Sequence, residues 1–395
     1  MSNPRVDSRF LLRLSSLGDV ILASSALTAL GASEVSCFEG VGSGKTDQVH
    51  YGPLDWATTA GYSELLQSHP LIRRVYEYDR ETGLQGWVQF CRRSWDRHYT
   101  EVLDLHGNLR TLIMRVLFFY WGCLQPQFKP RWKTVSKERF RLYGYFIFKG
   151  FWPERLRPSP WVERFTRLAG GTGRERPNLE HLLKPGNRGS GGRERNWERG
   201  MNQANSNQAN LRSQDSLITE GALPADFLIA VQKQTVPVIC VMPASKWDGK
   251  KWPGSKYVQL LKTYHAFPIV LGSQSDAESK TLCELLTAAQ IPHYSGVGKW
   301  NLTQTACVLA MSKGYLGSDT GLAHLAEAVG VSAQVIYGPT TPDMGFAPWR
   351  PESVSIGKAM GCRPCGKDGR FCFRVFNRYS CLKDLSTADV LGQLK

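Results

Sequence analysis

Tyr315-Leu316-Gly317-Ser318-Asp319-Thr320-Gly321-Leu322-Ala323-His324 reads as an apolar strand over 315–317 that breaks at small polar residues and enters a helix over 320–329, ended by Gly330. A second apolar run, 333–337, follows at once. Strand, helix and strand in such short order form a βαβ unit, whose strands lie parallel. The same rhythm extends upstream, with strands expected over 237–242 and 269–272, helices over 255–265 and 276–290, and a further helix capped by Asn301. It recurs near the start, where a strand over 10–14 turns through Ser15-Ser16-Leu17-Gly18 into a helix from Asp19 to about Leu30. A strand over 101–105 then leads through Asp104, His106 and Gly107 into a basic helix starting near Asn108. The expected class is α/β, with two Rossmann-like domains facing across a cleft and ligands at the C-terminal ends of their strands.

Between the two halves, residues 185–224 change to Gly, Arg, Asn, Gln and Ser with almost no apolar periodicity, as a linker or insertion would. The domains are therefore expected at 1–184 and 225–395. The chain has 395 residues, 42% hydrophobic and 21% charged, enough to bury two cores and too apolar for a disordered basic tail. Arg13 and Asp19 interrupt any signal-peptide core near the start, and the longest apolar run, 112–124, contains Arg115 and is too short for a membrane span. Ten scattered cysteines do not make a disulfide scaffold, so a reducing cytoplasm is expected.

The net charge of +15 is uneven: residues 110–167 hold 13 Lys and Arg against Glu138, Glu154 and Glu163, a local +10. They also hold 15 of the 43 aromatics. Cations interleaved with rings suit an anionic membrane surface or a single-stranded nucleic acid. An acidic partner is implied either way.

Several positions have both a chemical and a plain reading. Ser318-Asp319-Thr320-Gly321 opens a helix, where unpaired N–H groups and the dipole favour phosphate; equally, Ser318 or Asp319 could simply cap that helix. His324, one turn in, could reach a ligand or pack. Asp19 stands in the corresponding place after the first strand, either as a proton acceptor or as an ordinary first-turn acid. Lys246, Lys250 and Lys251 follow the 237–242 strand and would meet the Asp319 helix mouth if those strands are neighbours, to neutralise a diphosphate or as a solvated loop. Cys362, Cys365, Cys372 and Cys381 could enclose a metal, although their spacing is less regular than paired knuckles and reduced structural thiols are the better reading. Residues 39–46 end like a P-loop, but Glu39 replaces the required glycine and no helix follows.

Arg13-Leu14-Ser15-Ser16-Leu17-Gly18-Asp19-Val20, Asp104-Leu105-His106-Gly107-Asn108-Leu109-Arg110, Lys250-Lys251-Trp252-Pro253 and Ser318-Asp319-Thr320-Gly321-Leu322-Ala323-His324-Leu325, followed by Tyr337-Gly338-Pro339-Thr340, together resemble glycosyltransferase family 9, the ADP-heptose:lipopolysaccharide heptosyltransferases. The resemblance runs from about residue 10 to 385 and skips 185–223. It implies a GT-B architecture, with the acceptor on the N-terminal domain and the nucleotide-sugar on the C-terminal one. It further implies Asp19 as general base and Lys250 as the diphosphate-binding lysine. Asp319, Thr320, Gly321 and His324 would form the donor loop, with Ser245 near a phosphate-contacting position.

The implied activity is inverting transfer of heptose from ADP-heptose to the lipopolysaccharide inner core, with no metal or other cofactor required. The implied acceptor is an anionic, Kdo-bearing lipid A. The enzyme is then expected to be cytoplasmic and peripheral on the inner face of the inner membrane, with no nucleic-acid partner. Two other readings are a family member using another nucleotide-sugar or acceptor, and a non-catalytic protein that binds anionic lipid or nucleic acid.

Overall fold

The computed structural model describes residues 8–36, 54–183, 223–366 and 368–394. The P-loop-like residues 39–46 and nearly all of the 185–224 segment lie outside them. The chain forms two compact units.

The first unit holds β1 (Arg9–Leu12), β2 (Leu54–Thr58), β3 (Ile72–Glu77), β4 (Glu101–Asp104) and β5 (Arg131–Thr134), paired in the order β3-β2-β1-β4-β5. All pairings are parallel, with Leu12 opposite both Ala57 and Asp104. The helices α1 (Leu17–Ala23), α2 (Ser25–Ser36), α3 (Ala60–Ser63), α4 (Gly83–Trp95) and α5 (Leu109–Leu124) fall between or after these strands. The core joins Phe10 and Leu12 of β1 and Val102 of β4 to Trp87, Phe90 and Trp95 of α4 and Met114 and Phe118 of α5. Phe10 stacks on Tyr99 at 4.7 Å.

The second unit holds β6 (Val238–Met242), β7 (Phe267–Val270), β8 (Tyr294–Ser295), β9 (Tyr315–Ser318), β10 (Ala333–Ile336) and β11 (Val354–Ile356), in the order β11-β10-β9-β6-β7-β8. It is again wholly parallel. In both units the direction of winding reverses beside the first strand, between β1 and β4 and between β6 and β9. At such a switch point the connections after the two strands leave to opposite sides of the sheet, and the crevice at the strands' carboxyl ends is where ligands bind in doubly wound sheets.

The expected strands that pattern as continuous apolar runs are present, and Asn301 caps its helix by accepting from Gln304 N–H at 2.8 Å. Missed were β2, β3, β5, β8 and β11. β5 is an edge strand of mostly exposed polar residues, so it carries no hydrophobic signature. β2 hides behind Asp55, a fully buried carboxylate that reads as a breaker. Arg73 binds it through two hydrogen bonds of 3.0 and 2.7 Å, and the Tyr99 hydroxyl donates a third at 2.6 Å. A buried charge needs such compensation.

One boundary differs from the expected order. Residues 138–160, expected within the first domain, cluster with the second unit, whereas Trp161–Leu182 belong to the first. The segment contains α6 (Arg139–Phe148) and is tied to the second unit by hydrogen bonds to Asp343 from the Tyr145 hydroxyl (2.9 Å) and Arg157 (3.0 Å). Chain position misled because these anchors lie almost two hundred residues away. The basic, aromatic stretch 110–167 is thus divided between the units.

Candidate active site

At the switch point of the first unit, β1 ends at Leu12 and the chain runs through buried Arg13 into α1, whose third residue is Asp19. Ser16 is the N-cap residue, and both its backbone N–H (3.0 Å) and its hydroxyl (2.9 Å) donate to Asp19 Oδ2. Arg13 reaches Oδ1 at 2.7 Å, donates to the Leu105 carbonyl and faces the Phe165 ring at 5.4 Å. Burial alone would raise the Asp19 pKa, but the Arg13 charge and the Ser16 hydrogen bonds outweigh it and leave the group below its ordinary value. Asp19 is therefore ionised at neutral pH, and its side chain keeps 21% exposure.

Across the switch, β4 supplies Asp104 and then His106. The Asp104 carboxylate accepts from the N–H groups of His106 (3.0 Å) and Gly107 (2.8 Å), which shapes a turn that Gly107 completes at φ +57°. An added Cβ at Gly107 would strain that backbone. His106 Nδ1 accepts from the Leu14 N–H at 3.2 Å, so a neutral ring carries its proton on Nε2. Burial, followed by the Arg13 charge, lowers its pKa to about 3, against the pull of Asp19.

In the second unit β6 and β9 are neighbours, with Met242 opposite Gly317. A Cβ at Gly317 would lie 2.4 Å from the Met242 carbonyl oxygen, which is why the residue there is glycine. This pairing brings the Lys250 loop to the helix mouth. Lys250 Nζ donates to Asp319 Oδ2 at 2.6 Å, and the Thr340 hydroxyl joins the same oxygen at 3.2 Å. The other two candidate lysines go elsewhere: Lys251 pairs with Asp248 and Glu278, and Lys246 lies over the Trp247 ring.

Neither Ser318 nor Asp319 caps the helix Gly321–Ala328. Thr320 is the N-cap residue, the Ser318 hydroxyl donates to the Pro243 carbonyl at 3.1 Å, and Asp319 holds Lys250. His324 is buried and stacks on Trp349 at 5.7 Å, the packing alternative, while Ser245 sits half-buried where the loop begins. Close glycines hold the loop: Cβ atoms at Gly249 and Gly338 would meet the carbonyl oxygens of Gly369 and Gly249 at 2.4 and 2.3 Å.

Cys362, Cys365, Cys372 and Cys381 are free thiols, and among the described residues no group of three or more His, Cys, Asp or Glu is arranged to hold a metal ion. Burial pushes Cys365 up to about 11 and raises Cys381 as well.

The site's cation in the first unit, Arg13, and the neutral His106 were quoted in the motifs above without a role. The signal that could have found Arg13 is a charge at the end of an otherwise apolar strand, which burial obliges to take a partner.

Residues 199–371 match the family model described as glycosyltransferase family 9 (heptosyltransferase). Lipopolysaccharide heptosyltransferase 1 of Pseudomonas aeruginosa is 24% identical over 369 residues, covering 90% of this chain and 85% of that protein. The chain is thus similar to the heptosyltransferases of glycosyltransferase family 9. Its fold agrees with that of Escherichia coli ADP-heptose lps heptosyltransferase II at a TM-score of 0.60 and 17% identity, over 98% of this chain and 97% of that one. E. coli heptosyltransferase WaaC with ADP gives 0.56 at 16% identity, covering 98% of each. Both sheets conform to the α/β GT-B class expected above. Among the described residues no helix is long and apolar enough to cross a membrane.

Proposed function

We propose that this glycosyltransferase moves heptose from ADP-heptose to the inner core of lipopolysaccharide, on Kdo-lipid A or an already heptosylated core, with inversion. The observation that carries the reading is the Lys250–Asp319 pair at 2.6 Å, set at the switch point of the second sheet beside a helix N-terminus. Lys250 neutralises the diphosphate as the bond from the anomeric carbon to the phosphate oxygen breaks and ADP departs with the electron pair. Asp319 holds the ammonium in place, and the backbone N–H groups at Thr320 and Gly321 add donors. Ser245 lies near enough in sequence to contribute a hydroxyl to the phosphates.

Asp19 takes the proton from the acceptor hydroxyl while that oxygen bonds to the anomeric carbon from the opposite side. Arg13 keeps the carboxylate ionised and aimed, a requirement that precedes any base strength. Protein cations and N–H groups supply the charge neutralisation, so the reaction as proposed needs no metal. The acceptor is an anionic, lipid-linked saccharide, which places the enzyme on the cytoplasmic face of the inner membrane.

The test supplies ADP-heptose with Kdo-lipid A and, separately, with heptosylated core, and follows ADP release and product mass. Turnover on one of them is expected. No turnover on either, or faster turnover with a GDP- or UDP-sugar, overturns the donor or acceptor assignment.

A further inference from the structure

α6 carries an apolar stripe on its outer side. Its inner side is fixed by the Tyr145 hydroxyl, which is bound to Asp343. Phe140, Tyr143 and Ile147 follow one another at steps of three and four, so they share the face turned away from Tyr145, with the Trp152 ring packed against Gly144 along its edge, where a Cβ would meet it at 2.3 Å. Phe140 is 76% exposed, Ile147 71% and Phe151, just past the helix, 96%. Residues 370–378 repeat this character without a helix, with exposed Phe371, Phe373, Val375 (83%) and Phe376 (86%). Lys149 joins the two segments, since its Nζ donates to the Cys362 carbonyl at 3.0 Å and lies 5.9 Å from the Phe373 ring.

The charge around these groups is predominantly positive. Between Gly369 and Lys383 the chain has Arg370, Arg374 and Arg378 and no carboxylate. Around α6 stand Arg139, Lys149 and Arg155, while Glu138 is engaged by Arg141 (3.6 Å) and the Ser159 N–H, Asp343 by Arg157, and exposed Glu154 lies 4.0 Å from Arg157. Soluble proteins rarely leave a contiguous apolar patch of this kind without a partner. A second copy packed face to face would set arginine against arginine, which is unfavourable. A single-stranded nucleic acid would stack on the rings, but Ile147 and Val375 have no π-face to offer. Aromatic and aliphatic tips within a ring of cations match the surface of a bilayer rich in anionic lipid, where arginines meet phosphate and the tips enter the acyl boundary.

We propose that α6 and residues 370–378 of the second unit form a docking face that inserts into an anionic lipid leaflet. This deepens the lipid-linked acceptor reading and rests on it for its purpose. The test sediments the full chain with vesicles of phosphatidylcholine alone and of phosphatidylcholine with phosphatidylglycerol. Binding is expected only with phosphatidylglycerol, weakening as salt rises. The doubly substituted F151E/F376E protein should bind at least about tenfold more weakly with an unchanged melting temperature, because both rings are exposed. R370Q/R374Q should lose affinity for the anionic vesicles in the same assay.

Undiminished binding by F151E/F376E, or no binding by the unsubstituted chain, overturns the docking face. So does a vesicle-free dimer that F151E/F376E converts to monomer, which would assign the patch to a second copy. Transfer to a lipid-free acceptor separates the two ideas. If transfer persists without vesicle binding, the docking face alone falls; vesicle binding without transfer to any acceptor sinks the transferase reading alone.

Discussion

The Asp19 carboxylate is shared among Arg13 and the N–H and hydroxyl of Ser16, so its charge is fixed by three donors before any substrate arrives. Asp19→Ala should leave ADP affinity nearly unchanged and abolish turnover; retained turnover would remove Asp19 from the base role. Arg13→Leu tests the electrostatics. With Arg13 the carboxylate titrates below its ordinary value of about 3.9, and removing the cation lets burial raise it. The acidic limb of the kcat/KM profile should therefore move to higher pH in Arg13→Leu. The same sign applies to stability: the depressed pKa stabilises the fold above the ordinary carboxylate value, and this is lost as pH falls through the folded value. In the second unit, Lys250→Ala should lower the rate by about 10²- to 10³-fold. It should also destabilise by about 3 kcal/mol by leaving the Asp319 charge without its cation, with only the Thr340 hydroxyl, in a largely buried site, and K250A/D319A should recover part of that in urea melts. Asp19, Lys250 and Asp319 were legible because their spacing after strands is local. Arg13 and Thr340 as their partners were not, since those contacts are made only when the strands pair.

At the scale of elements, legibility followed burial. The central strands β1, β4, β6 and β9 are apolar runs and were expected within a residue or two of their observed ends. Edge strands and β2 were not, because exposure removes the pattern from the former and a compensated carboxylate breaks it in the latter. The helix starts were clearer, as capping chemistry sits in adjacent residues. Asn108 accepts from the Thr111 N–H at 3.0 Å to open α5, so Asn108→Ala should destabilise the protein by about 1 kcal/mol in denaturant titration. Gly249→Ala is more severe in kind. Its new methyl would press on the Gly369 carbonyl and the Tyr379 ring, 2.4 and 2.8 Å away, so the loop must shift and carry Lys250 with it. ADP affinity should fall in that variant, and wild-type affinity would show that the loop has room to give.

For the molecule as a whole, the two sheets share one winding rule but carry different chemistry at their switch points: an ionised carboxylate in the first unit, a lysine and a helix mouth in the second. Ligands should sort accordingly. With ADP, amide hydrogen exchange should slow in residues 243–253 and 318–325 and stay unchanged in 13–20; protection appearing first around Asp19 would reverse the assignment of halves. The uneven net charge of +15 was visible from composition, whereas its division between units was not, because residues 138–160 leave the order of the chain.

That excursion decides how the protein can be cut. A fragment starting at residue 214 would contain the whole second sheet yet leave Asp343 without Tyr145 and Arg157, and the Cys362 carbonyl without Lys149. A self-sufficient second unit would have to be spliced, with residues 138–160 grafted back through a designed connection, and a break at the low-complexity stretch would yield two incomplete pieces.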